Sequence, residues 1–305
     1  MQGTSWSGAA AIALLLAGCG GNLDNSQPGS DAVSLATPAD ALRELGNTAY
    51  AASLLQSPSS YSCTSGAATV TSSGSTTRSF VYFTEFTGTV NYAITAYSDC
   101  VDSSGVTVDG DLEAGASSDS SYSFAIYGSP NTAVPLILQS SGTSSSGSAV
   151  NIAQSLLGTI ETHLISSTQS EFRSGLETAS EQTPQSGGGA SYQGSFSIGV
   201  QGPTFDLISD SSGGTGSETI AGNYSYSSSL CSGGSVTLAT PTASPLLLSP
   251  SASGSYPTGG ALTLSSGANA VTYTFSASGA SLSGSISGSL SSAQVQQAFG
   301  SGSGC

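Results

Sequence analysis

The sequence predicts a mainly β fold with two helices, an α+β chain built on antiparallel meander sheets. Charged residues make up only 7% of its 305 residues, so solubility rests on Ser, Thr, Asn and Gly. That composition suits strands with hydroxyl-rich outer faces better than charged amphipathic helices. Tyr, Phe, Val, Ile and Leu also recur in alternating runs, which disordered Ser/Gly-rich chains lack. Two segments depart from this alternation and show helical spacing instead.

Residues Met1 to Gly8 are short and polar, and Ala9 to Ala17 form a continuous apolar run. That run is too short to span a bilayer, which takes roughly 20 residues, and it fits the apolar core of a secretory signal peptide. It ends in Leu16-Ala17-Gly18-Cys19. This ending resembles the lipobox of bacterial lipoproteins. The resemblance covers only the signal region and implies removal of residues 1–18, with covalent diacylglyceryl and acyl groups on Cys19. Gly20, not Asp, follows the modified Cys, which in that family implies the outer membrane of a Gram-negative cell. The first expected partner is therefore the membrane itself, reached through the lipid anchor.

After Cys19 the stretch to Ala36 reads as a flexible tether, rich in Gly, Asn and Ser. Thr37-Pro38-Ala39-Asp40 is a helix start, with Thr as N-cap, Pro first and Asp three after the cap. Ala41, Leu42, Leu45, Ala49 and Ala52 share one face, with Arg43 and Glu44 turned away, and the helix should stop near Gln56, before Pro58. From Ala67 the period becomes two. Phe80, Tyr82 and Phe86 form one run and Val90 to Ala96 the next, with Thr87-Gly88 as a short hairpin between them. Asp102 to Gly105 is a second turn, with strands following around Val106 to Leu112 and Tyr122 to Tyr127. Pro135 marks Ala133 to Gln139 as an edge strand.

Ser140 to Ser148 reads as a linker. Beyond it, Ala153, Leu156, Leu157, Ile160 and Leu164 give a helical stripe, continued by Phe172, Leu176 and Ala179 and ended by Pro184. Alternation then returns at Phe196 to Val200, Tyr224 to Tyr226, Val236 to Leu238, Leu262 to Leu264 and Val271 to Phe275. The organisation expected is a signal peptide (1–18), a tether (19–36), a helix-plus-meander module (37–144) and a second such module (145–305). The alternative is one curved sheet wrapped on the central helix.

Of the five Cys, setting Cys19 apart leaves Cys63, Cys100, Cys231 and Cys305, an even set in an exported protein, where disulfides are expected. Pairing Cys63 with Cys100 and Cys231 with Cys305 keeps each link within one module.

The net charge is −15, with three Lys+Arg and one His. All three basic residues are Arg, which excludes nucleic acid as a partner, since phosphates require clustered cations. With His163 as the single His, Ser-His-Asp, Cys-His and H-E-x-x-H chemistry lack their parts, and without Lys there is neither a P-loop nor a Schiff base. No resident metal or cofactor is expected. Asp99, Asp102, Asp109, Asp111 and Glu113 form the densest acidic stretch, a set of hard oxygen donors for Ca²⁺ whose spacing does not match an EF-hand. The functional expectation is a non-enzymatic envelope lipoprotein with a structural, adhesive or binding role toward an envelope protein, glycan or lipid. A half-barrel carrier of hydrophobic ligands is the second reading, and a carboxylate hydrolase the third.

Overall fold

The computed structural model describes residues 32–129, 133–143, 148–187, 192–200, 203–212, 216–251 and 254–300. The chain is mainly β with two helices, as the composition predicts. Helix α1 (Pro38–Leu54) starts with a complete capping box, in which the Thr37 hydroxyl accepts from the Asp40 amide and the Asp40 carboxylate accepts from the Thr37 amide. Strands β1 (Ser65–Ser79), β2 (Thr87–Val101), β3 (Thr107–Ser117), β4 (Tyr122–Tyr127) and β5 (Leu136–Thr143) follow. Next come β6 (Ala149–Leu164), β7 (Gln169–Pro184), β8 (Tyr192–Ile198), β9 (Phe205–Asp210) and β10 (Gly216–Ser228). The chain continues through β11 (Gly234–Ala239), β12 (Leu246–Ser251), β13 (Gly254–Ser266), β14 (Asn269–Ser276), β15 (Gly279–Gly284), β16 (Gly288–Ser291) and helix α2 (Ser292–Gly300).

Among the described residues, all 16 strands belong to one antiparallel sheet. Strands from both expected modules share it, because β5 and β6 pair from Thr143↔Ala149 to Leu136↔Leu156. At three places two successive strands share one position in the sheet: β4 and β5 between β3 and β6, β8 and β9 between β7 and β10, and β11 and β12 between β10 and β13. Glycines mark these breaks. Gly158 (φ +134°) and Gly222 (φ +119°) adopt backbone conformations unfavourable for other residues, and a Cβ there would collide with the carbonyls of Gly175 and Thr204.

Several expectations are corrected. The central helix expected over residues 153–179 is the hairpin β6–β7. The helical stripe concealed a period-two row, Val150, Ile152, Gln154, Leu156 and Ile160, all buried. The Gln154 amide donates to the Tyr50 hydroxyl at 3.0 Å. The second helix is instead the C-terminal α2, with Val295 and Ala298 buried. Residues 80–86 are the connection between β1 and β2, not a strand, and Thr87-Gly88 already belongs to β2. Strand β5 is interior, because Pro135 lies just before it and removes no ladder donor from it. The end of the expected tether is packed, since Val33 and Leu35 are buried and the Val33 amide donates to the Ser266 hydroxyl at 2.8 Å.

Helix α1 lies across the strands on one face of the sheet, which is its inner face. A row of tyrosines fixes the chain from residue 41 to 61. Tyr273 (β14) donates to the Ala41 carbonyl at 2.7 Å, and Tyr226 (β10) to Glu44 at 2.6 Å. Tyr127 (β4) donates to the Ser57 carbonyl at 2.9 Å, and Tyr97 (β2) accepts from the Tyr61 amide at 3.0 Å. Glu44, expected to face solvent, is fully buried as a result. The Cys63–Cys100 disulfide then ties the chain leaving the helix to β2.

Candidate functional site

The acidic stretch does not converge. Asp102 closes the turn after β2, accepting from the Ser104 and Val106 amides at 2.8 and 3.0 Å. Partial burial opposes its ionisation, but these hydrogen bonds hold its carboxyl below the usual range. Asp109 accepts from the Asp99 amide at 2.7 Å, Glu113 pairs with Arg78 at 2.6 Å, and Asp111 is exposed. Among the described residues no group of three or more His, Cys, Asp or Glu is placed to hold a metal ion. Cys231 is disulfide-bonded. Its expected partner Cys305 lies outside the described residues, as do Cys19 and the signal segment.

The ionisable groups that do converge lie on the outer face of the sheet, under the strap formed by residues 80–86. Strand alternation explains the placement. Glu161 and His163 on β6, Glu171 and Arg173 on β7 and Asp206 on β9 point away from α1, while Ile160, Leu176 and Leu207 point toward it. Cross-strand pairing sets Glu161 opposite Arg173, His163 opposite Glu171, and Arg173 opposite Asp206.

Glu161 is buried and holds the strap by its backbone. One carboxylate oxygen accepts from the Val81 amide at 2.7 Å, and the other from Tyr82 and Phe83 at 2.7 and 3.2 Å. Arg173 completes the grip by donating to the Tyr82 carbonyl at 2.8 Å, with its guanidinium 4.5 Å above the Phe83 ring. It also bridges Glu171 at 2.6 Å and Asp206 at 3.3 Å. His163 stacks on Tyr122 with ring centroids 4.2 Å apart and lies 3.8 Å from Glu171. Phe80, Phe83, Val90 and Phe124 form a second small core beneath the strap.

Asp206 is the perturbed group here. Burial first, then the neighbouring Glu171 charge, push its carboxyl up to about 6 against the opposing pull of Arg173. Its Oδ1 is buried with no hydrogen-bond partner. A carboxylate pair used for glycoside hydrolysis needs a substrate-accessible gap of about 5–10 Å. Here a guanidinium bridges the pair, and the strap is bonded to that same guanidinium. The arrangement holds the strap against the sheet.

A second perturbed carboxylate, Glu218, lies on the inner face of β10 between Ser209 of β9 and Leu246 of β12. Burial pushes it up to about 7. Neither cluster was found from the sequence. The signal was available in the i, i+2 spacing of Glu161 with His163 and of Glu171 with Arg173, which places each pair on one face only if the segment is strand. Comparison with known proteins adds no relative: no family model, curated protein or solved structure matches the chain.

Proposed function

We propose that this chain is an exported lipoprotein of the Gram-negative outer membrane, held through acylated Cys19, whose sheet is a rigid non-enzymatic platform for an envelope protein, glycan or lipid. The observation that carries this reading is the seating of α1. The helix begins within a short span of Cys19, and its first turns are bonded to Tyr273 on β14 and Tyr226 on β10, both buried. A tether leading into that helix transmits force to the core and not to a fraying edge.

The hydrophobic-carrier reading draws no support from the same face. Ala41, Leu45 and Ala51 are fully buried, and the Tyr224 and Tyr273 hydroxyls are hydrogen-bonded to the helix, so the close seating of α1 favours a scaffold over a carrier. The bridged, strapped Glu171–Asp206 pair weighs against hydrolysis.

Intact mass of the membrane-extracted protein tests the anchor: loss of residues 1–18 with added diacylglyceryl and acyl groups is expected, and an unmodified Cys19 would overturn the reading. Affinity capture from solubilised envelope with the acylated protein then tests the platform. A bound partner is expected without turnover of envelope glycans or lipids, and turnover would reject the non-enzymatic assignment.

A further inference from the structure

Strand β1 is anomalous in this sheet. It is 15 residues long and none of its residues is buried; Arg78 is half-buried and the rest are exposed. It pairs with β2 on one side, and among the described residues nothing pairs with its other side. Each ordered residue costs about 1–2 kcal/mol of backbone entropy. A ladder hydrogen bond returns roughly 0.5–1.5 kcal/mol net. A strand with one ladder and no buried side chain is therefore close to balance, and a second ladder would stabilise it.

From Ser72 to Ser79 the edge also lacks the features that normally prevent pairing. It carries no Pro, Asp or Glu, and no Lys exists in the chain. Arg78, its one charge, is turned to Glu113 and the Phe124 ring. The register shifts are confined to its first half, and from Ser72 to Ser79 it pairs regularly with Ile94 to Thr87. The opposite edge is unlike it. β16 has four residues and runs directly into α2, which leaves little room for a strand to add there.

We infer that the Ser72–Ser79 half of β1 pairs with the same half of a second copy of this chain, antiparallel and about a two-fold axis. Charge and closure select this occupant. The net charge of −15 opposes most contacts between copies, but no carboxylate occurs from Leu45 to Thr84, so two β1 edges meet without facing acids. A head-to-tail stack would require β1 to join β16, whose short edge and following helix disfavour it, so the isologous pair closes. Eight residues span about 27 Å, and the contact lies below the roughly 1,200 Å² of a standard interface. The dimer is therefore weak and reversible. It does not depend on the anchor.

Single-cysteine variants Ser73→Cys, Ser75→Cys and Thr77→Cys of the full mature chain, extracted in detergent and treated with a short bis-maleimide, test the pairing. Thr274→Cys on the exposed side of β14 is the control. Self-crosslinked dimer is expected along β1 and not at position 274. In the register that sets Ser75 opposite Ser75 of the second copy, position 73 faces position 77, so adding Ser73→Glu and Thr77→Glu to the Ser75→Cys chain should reduce that dimer roughly tenfold by setting like charges opposite one another, with thermal unfolding unchanged. Equal crosslinking at position 274, absence of β1 crosslinks, products containing only another protein, or a dimer indifferent to the two acids would each overturn the inference. Should the acids lower the unfolding temperature, Ser73→Thr with Thr77→Ser, which keep the edge neutral, must retain the dimer; its loss there would equally reject the pairing.

Discussion

Tyr226 on β10 donates its phenolic proton to the carboxylate of Glu44 on α1, at 2.6 Å and away from solvent. Burial and the adjacent Glu44 charge push the phenol well above its ordinary range, so it remains a donor at any working pH. Arg43, Asn47 and Tyr224 supply the other contacts to the same carboxylate. A buried charge with several donors costs little while they all hold, and much when one is removed.

Tyr226→Phe should therefore lower unfolding stability by about 1.5–3 kcal/mol, the range for a hydrogen bond to a charged group. Denaturant titration of the variant beside the parent measures it. A change below the error of the titration would mean that the remaining donors compensate fully.

The Cys63–Cys100 link closes a loop with a sequence separation of 37. Replacing both with Ser should cost about 4 kcal/mol in the chain-entropy account. Peptide mapping under non-reducing conditions should recover the linked peptides from the parent chain.

Glu161→Ala should free the strap without unfolding the sheet, because three amides lose their acceptor. Hydrogen exchange at Val81, Tyr82 and Phe83 is expected to accelerate while amides of β13 and β14 keep their protection. Slow exchange throughout would show that the aromatic packing of Phe80 and Phe83 holds the strap unaided.

Glu218 gives a pH dependence opposite to that of a salt-bridged carboxylate. Its folded-state value of about 7 exceeds the ordinary 4.5, so the folded protein holds the proton more tightly than the unfolded chain. The resulting stability is present below about pH 4.5 and is lost as pH rises through 7. Glu218→Gln should stabilise the protein at pH 8 by up to about 3 kcal/mol, less the part screened by its partial exposure. At pH 4 the two chains should unfold alike. Thermal unfolding at both pH values decides it, and a gain at pH 4 equal to that at pH 8 would exclude ionisation as its cause.

The first helix was legible because its instructions are local: Thr37, Pro38 and Asp40 form the cap by themselves. Strands such as β8 and β14 were legible because apolar and small polar residues alternate within them. The hairpin β6–β7 was not. Its inner row includes Gln154, Thr178, Ser180 and Gln182, polar residues that are buried there because Tyr50 of α1 brings a hydroxyl to meet several of them. No window of sequence around residue 154 contains Tyr50.

The sequence by itself therefore determined the class of fold and the capped helix and raised the expectation of a lipid anchor at Cys19, since each depends on composition or on short-range spacing; it left three pairings open for the four remaining Cys, and the fold brings Cys63 to Cys100. Only the tertiary structure decided that Glu44 is buried, that Glu161 and Arg173 hold a strap and that β1 is an unguarded edge. Those properties depend on which distant residues share a face and which strand comes last, and the register of a long antiparallel sheet sets both.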